Sequence, residues 1–398
     1  MPAAPNGNSA KPFAPDDGGP EASLLRLIAC VDLDEARRLR IRELFEAGLD
    51  ASRLIELAKA HGLRPLLFRH IERSLGPALP RDLFSTLWVH QEQLTAKNRR
   101  MRDELLTIVD LFEREGIPVL PLKGPVLALQ AYGDLSLREF GDLDLLVPPS
   151  RRTQARRLLA ERGYVSFFPI SAAAERALLD SPAHYHIALK RDLMVELHWK
   201  TDAEFAVEPA GDAAWWESLE RTRIGDTEVR CLAPHEQLLA LCLHGSKHHW
   251  SSLHWLVDIN ELLKTHPDLD WDWILGRARG LGATKRLALG IRLLRDQLHW
   301  VPPPRVGSWL DGQTSIARLA DEIASDWFEL PARQLGTWPR LRRNLSLYET
   351  LPRRLRHIVN VILRPSLVEW SRWPLPPPLF FLYLPLRAGR LLAKQLRA

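Results

Sequence analysis

The sequence predicts an α+β protein in which a small mixed sheet is inserted between N-terminal and C-terminal helical regions. Three observations lead there. At 398 residues the chain is too long for one ordinary core, and length alone suggests roughly two to three domains. Apolar residues recur at three- and four-residue spacing from Ser23 to Glu115, and again from Ala233 onward. Between those stretches, short β-forming runs alternate with helical pieces, as in a small α/β or α+β unit.

Residues 1–22 are rich in Pro, Gly and Asn and lack an apolar segment, so they read as a disordered lead and not as a signal peptide. Residues 23–115 read as helices with glycine stops, and their pattern points to no chemistry. Residues 116–205 hold the sheet. There "IPVLPLKG" is a strand running into a glycine, followed by a helix over Pro125–Tyr132 with proline at its first position. A strand "LDLLV", a helix "SRRTQARRLLAERG" closed by Gly163 and a strand "YVSFF" come next. "HYHIALKRDLMVELHWK" is a hairpin turning near Arg191 and Asp192. Residues 206–300 read as a helical region that closes over the sheet, and residues 301–398 as a basic, Pro-rich C-terminal region.

Hydrophobic residues at 46% and charged residues at 26% are the values of a globular protein, which argues against general disorder. The net charge of +5 is unevenly spread. From Arg340 to the end, twelve Lys or Arg face only Glu349 and Glu369, leaving that segment at +10 and the preceding chain near −5. Such a tail permits peripheral contact with an anionic membrane surface, nucleic acid or another polyanion. Its short apolar pieces and many prolines favour packing against the body instead. The longest apolar stretch, "WPLPPPLFFLYLPL", is fourteen residues with five prolines, too short and broken to span a bilayer. Cys30, Cys231 and Cys242 are sparse and lack metal spacing, so a reducing, cytoplasmic setting is expected.

The chemistry is concentrated in "LKGPVLALQAYGDLSLREFGDLDLLV". Side chains alternate along a strand, so Asp142 and Asp144 point to one side, where two like charges repel. A hard divalent cation, Mg²⁺ or Mn²⁺, resolves that conflict and leaves coordination sites for phosphate oxygens. Glu196, between Val195 and Leu197 in the hairpin, supplies a third carboxylate for the same ion. Upstream, Lys123 offers positive charge, while Gly124 and the following helix N-terminus let a phosphate approach the backbone. In "HGSKHHW", His244, Lys247 and His248 share a helix face. Gly245 stands where a zinc protease needs its glutamate, so the expected role is a wall facing a triphosphate. Arg138 pairs with Asp134 or Glu139, or else orients a phosphate or carboxylate. Asp258 anchors Lys247 or a histidine, or forms an ordinary buried ion pair. His184, His186 and His198 read as structural, with His198 on the face of Glu196 and placed to support it.

The order strand, Gly-containing turn, helix, D-x-D strand and later acidic strand resembles the polymerase-β-like nucleotidyltransferase superfamily. Together with "VELHW" and "LCLHGSKHHWSSLHWLVDI", it is similar to a poorly characterised bacterial nucleotidyltransferase family with a Lys-Gly turn, an Arg before D-x-D and a His-Gly-x-Lys-His segment. The resemblance spans roughly residues 25 to 390, with specific motifs between 120 and 260. It implies metal-dependent transfer of a nucleotidyl group from a nucleoside triphosphate, ATP being the expected one, to an acceptor hydroxyl or phosphate. The acceptor class stays open among small molecule, peptide and protein, with RNA less favoured. Lys123-Gly124-Pro125 replaces the usual Gly-Ser or Gly-Gly turn, and Glu196 stands where aspartate is common. Those departures motivate an alternative: a catalytically silent binding module of the same fold, recruited to a membrane surface or a biosynthetic partner.

Overall fold

The computed structural model describes residues 18–167, 185–200, 213–329, 336–363, 365 and 367–396. Five helices lead: α1 (Pro20–Leu27), α2 (Glu35–Glu46), α3 (Ala51–Ala60), α4 (Arg64–Leu75) and the long α5 (Arg81–Arg114). Asp34 and Asp50 cap α2 and α3, each accepting a backbone N–H three residues on, from Arg37 at 2.8 Å and Arg53 at 3.0 Å.

The sheet unit follows, as β1 (Leu120–Pro121), α6 (Gly124–Tyr132), β2 (Leu143–Leu146), α7 (Arg152–Glu161), β3 (Val165–Ser166), β4 (Tyr185–Lys190) and β5 (Leu193–His198). Its order is β1-β2-β5-β4-β3, and only β2 and β5 run parallel. The β4–β5 hairpin turns where expected, with Arg191 in the left-handed region at φ 57°. Leu143, Leu145, Val195 and Leu197 on one face pack against Met101, Leu105, Ile108 and Phe112 of α5 and Leu158 and Leu159 of α7. Alternation then sends Asp144, Glu196 and His198 to the opposite face.

The stretch expected to be helical after residue 206 contains α8 (Ala213–Ser218) and then a second hairpin, β6 (Glu220–Ile224) with β7 (Thr227–Cys231). Gly225-Asp226 forms its turn, with Gly225 at φ 59°. "TEVRC" alternates outward Glu228 with inward Val229, a strand pattern that the reading of 206–300 as a helical region passed over.

Helices then resume: α9 (Pro234–Lys247), α10 (His254–Thr265), α11 (Trp271–Leu281), α12 (Thr284–Leu298), α13 (Pro304–Asp311) and α14 (Thr314–Asp326). They do not form a core of their own. Leu24, Ile28, Leu57, Leu67 and Leu87 from the leading helices share one apolar core with Leu239, Val257, Leu287, Ile291 and Ile323. The sheet unit is thus inserted into a single helical body whose two halves are remote in sequence. At a rise of about 1.5 Å per residue, α5 is about 50 Å long. Its Leu83 and Leu87 lie in the helical core, and its Met101 to Phe112 lie in the sheet core.

The C-terminal region comprises α15 (Thr337–Leu347), α16 (Leu351–Leu363), α17 (Leu367–Arg372) and α18 (Tyr383–Leu396). The expectation that its apolar pieces would pack against the body is met in part. Leu347 and Tyr348 join the helical core, whereas Trp370 and Tyr383 pack with Phe380 and Leu386 in a separate cluster made of C-terminal residues alone, and other large apolar side chains of the region remain exposed. Among the described residues, no helix is long and apolar enough to cross a membrane. The three cysteines are free and buried.

Candidate functional site

Between the two cores lies a cavity of about 760 Å³. Its floor is the polar face of the sheet. Parallel pairing sets Asp144 of β2 directly opposite Glu196 of β5, and Leu146 opposite His198. Backbone bonds on both sides fix the register: Leu122 N–H donates to the Asp144 carbonyl at 3.0 Å, and Val147 N–H to the His198 carbonyl at 2.9 Å. Asp142 precedes β2 by one residue and lines the same cavity.

Asp144 is buried, and its two oxygens are differently engaged. Oδ2 faces the Lys123 ammonium at 3.0 Å, and Oδ1 accepts from His198 Nε2 at 3.0 Å. Burial works against its ionisation, but Lys123 and the His198 hydrogen bond outweigh it and hold the carboxyl well below the usual range. Against the effect of its own burial, His198 is raised by its hydrogen bond to Asp144 and by Glu196 Oε2 at 3.5 Å. Asp142 behaves in the opposite way. Burial, then the charges of Asp144 and Glu196, push it up to about 6, with Lys123 opposing. Asp142 thus meets burial and two neighbouring carboxylates that Lys123 offsets only in part.

Donor atoms of Asp144, Glu196 and His198 all lie within 4.8 Å of one another. The expected ligand set was Asp142, Asp144 and Glu196; the tight set exchanges Asp142 for His198. The reason is local, since His198 sits two residues beyond Glu196 on the same strand face, whereas Asp142 lies outside β2. Two carboxylates and an imidazole, with the Asp142 carboxyl alongside, are a donor set that fits a divalent cation.

Above the floor, Lys123 precedes α6 and places its ammonium 3.2 Å from His244 Nε2. Gly124 has φ 58°, a conformation that a side chain disfavours, and this lets the chain turn into α6 beside the Asp142 carbonyl. α9 brings His244 and Lys247 to the cavity, and His248 follows as its C-cap. Burial and the neighbouring Lys123 drive His244 well below the ordinary histidine range, so it stands neutral and can accept from Lys123. Gly245 has a packing reason: a Cβ there would come within 2.6 Å of the Trp250 ring. Trp250 is fully buried, and it follows His249, both being non-glycine residues in the left-handed region, at φ 51° and 58°. His248 stacks on Trp255 at 5.4 Å between ring centroids.

All nine residues singled out for metal, phosphate or catalysis line this one cavity: Lys123, Gly124, Arg138, Asp142, Asp144, Glu196, His244, Lys247 and His248. The partner of Arg138 differs from both expected ones. Its Nε and Nη2 donate to Asp258 Oδ1 and Oδ2 at 2.7 and 2.8 Å, and Tyr132 Oη donates to Oδ1 at 2.7 Å. Asp134 instead caps the turn at Ser136, and Glu139 is gripped by Arg64 at 2.8 and 3.1 Å. Asp258 thus anchors Arg138, not Lys247 or a histidine. His184 lies outside the described residues.

Sequence reasoning missed the N-terminal contribution. Arg64 of α4 and His90, Gln93 and Lys97 of α5 line the cavity, although nothing in the helical periodicity marks them. Lys97 Nζ donates to the Phe140 carbonyl at 3.1 Å, close to the D-x-D turn.

Residues 47–299, more than half of the chain, match the model of a family described as an uncharacterised nucleotidyltransferase. No curated protein matches. No solved structure matches either.

Proposed function

Because the chain belongs to the uncharacterised nucleotidyltransferase family, we propose that it transfers a nucleoside monophosphate from a nucleoside triphosphate to an acceptor hydroxyl or phosphate. The observation that carries this reading is the in-register pairing of Asp144 with Glu196, beside Asp142 and under Lys123. Asp144, Glu196 and His198, with Asp142 adjoining, would hold a divalent cation, Mg²⁺ or Mn²⁺. Bound there, the ion would neutralise the carboxylates and polarise the α-phosphate.

The chain's own groups do the rest. Lys123, the Gly124 backbone at the start of α6, and Lys247 hold the β- and γ-phosphates by charge and hydrogen bonds. Neutral His244 and His248 line the wall beside them. The acceptor oxygen attacks the α-phosphorus in line, the bond to the bridging oxygen breaks, and pyrophosphate leaves. Glu196 accepts the acceptor's proton. Positioning and charge neutralisation supply most of the rate.

The Lys123-Gly124-Pro125 turn lacks a phosphate-binding hydroxyl, which favours the silent binding module. The Lys123 ammonium, 3.0 Å from Asp144, can bind phosphate as a point charge in place of that hydroxyl, which favours the enzyme.

The test uses full-length protein, Mg²⁺ or Mn²⁺, and triphosphates labelled at the α or the γ position, with metabolite and peptide pools as acceptors. The α label is expected in product and the γ label in pyrophosphate, with Asp144→Asn lowering turnover at least 100-fold. Transfer of the γ label, or triphosphate binding without turnover, overturns the reading.

A further inference from the structure

The C-terminal helices α16 and α18 each leave an apolar flank exposed. On α16, Leu351, Leu355 and Val359 lie within an arc of about 80° and are 65, 54 and 51% exposed. The opposite face of α16 carries Arg353 and His357, and these reach the body: Arg353 donates to the Leu281 carbonyl, and His357 Nδ1 pairs with Tyr348 Oη at 2.9 Å. α18 repeats the arrangement. Arg387 and Arg390 point inward to Glu369, which is fully buried, while Leu384 and Leu392 on the other flank are exposed. Phe381, at 63% exposure, and Leu379 are further exposed apolar side chains in the turn that leads into α18.

A surface helix in water buries its apolar face and solvates its arginines. Both helices depart from this on one flank, leaving leucines and a valine exposed while arginines on the other side bond inward. Among the described residues, nine of the sixteen exposed large apolar side chains fall between Trp338 and Leu392, so the pattern is not ordinary surface scatter.

We propose that this region docks the protein on an anionic lipid bilayer, lying in the interface with Leu351, Leu355, Val359, Phe381, Leu384 and Leu392 inserted among the acyl chains. Charge selects the occupant. The segment from Arg340 to the end carries +10, which attracts acidic headgroups and would repel a second copy of itself. No described helix is long and apolar enough to span, which fits a surface-lying mode. The matched family region ends at residue 299, so docking is separable from the nucleotidyltransferase site and does not rest on its assignment.

Full-length protein should co-sediment with vesicles of phosphatidylcholine containing 30% phosphatidylglycerol, and at least tenfold more weakly with phosphatidylcholine alone. The double variant Leu355→Glu, Leu384→Glu should lose at least tenfold in vesicle binding while its circular dichroism melt stays unchanged. Equal binding by variant and wild type overturns the proposal, as does wild type remaining in the supernatant with acidic vesicles. A concentration-dependent dimer in sedimentation velocity that the double variant abolishes, without vesicle binding, also overturns it by making a second copy the occupant.

Discussion

At the residue scale, two neighbouring carboxyls of the cavity are shifted in opposite directions. Asp142 is pushed up to about 6 by burial and by its acidic neighbours, while Asp144 is held low by Lys123 and His198. A carboxyl whose folded pKa is raised binds its proton more tightly in the folded chain. Its contribution to stability is therefore greatest below pH 3.8 and falls as pH rises through 6. Asn at this position never ionises. Asp142→Asn should accordingly stabilise the metal-free protein by about 1–2 kcal/mol at pH 8, after allowing for screening at the open side of the cavity, and by little at pH 4. Urea midpoints in EDTA at both pH values measure this, and added Mg²⁺ should narrow the gap at pH 8 by stabilising the wild type. D-x-D and Glu196 were legible in the sequence because strand alternation fixes their face. Inclusion of His198 required the hydrogen bond to Asp144, across a strand pair 54 residues apart.

At the element scale, the pairing of Arg138 with Asp258 fastens the D-x-D segment to α10. Both groups are buried, and burial alone would disfavour each charge; their mutual attraction reverses that, lowering Asp258 and raising Arg138. Asp258→Asn leaves a guanidinium buried without a counter-charge and should cost about 3–5 kcal/mol in denaturant unfolding. Tyr132→Phe removes one hydrogen bond to the same carboxylate and should cost about 1–2 kcal/mol. Comparable losses for the two would mean that the ion pair is not what holds the segment. The helix boundaries around it followed from caps, glycines and prolines. The Arg138 partner did not, because 120 residues separate the two and Asp134 and Glu139 lie nearer in sequence.

At the scale of the whole molecule, two buried histidines tie the chain's distant parts together. His61 after α3 donates to the Trp327 carbonyl at 2.8 Å and accepts from Leu253 N–H at 3.2 Å. His70 of α4 donates to the Cys30 carbonyl at 2.7 Å. Burial first, countered by these bonds, lowers both to about 4. The folded state keeps them neutral while the unfolded chain takes up protons near pH 6.5. Their stabilisation is complete above that value and is lost as pH falls toward 4. Each should cost about 2 kcal/mol between pH 7 and pH 5, visible as a falling denaturant midpoint that His61→Gln and His70→Gln each reduce. Unchanged midpoints across that range would refute the coupling.

Local patterning was sufficient for the α+β class, the sheet between helical stretches, the face of the acidic residues and the Lys-Gly turn, since each depends on periodicity or on the conformational range of a few adjacent residues. Three features came from folding at long range: one helical core drawn from both ends of the family region, the cavity wall supplied by Arg64, His90 and Lys97, and the outward apolar faces of α16 and α18. An amphipathic helix records that it has two faces. Which one meets the body is set by partners distant in the chain, here the Leu281 carbonyl for Arg353 and buried Glu369 for Arg387 and Arg390.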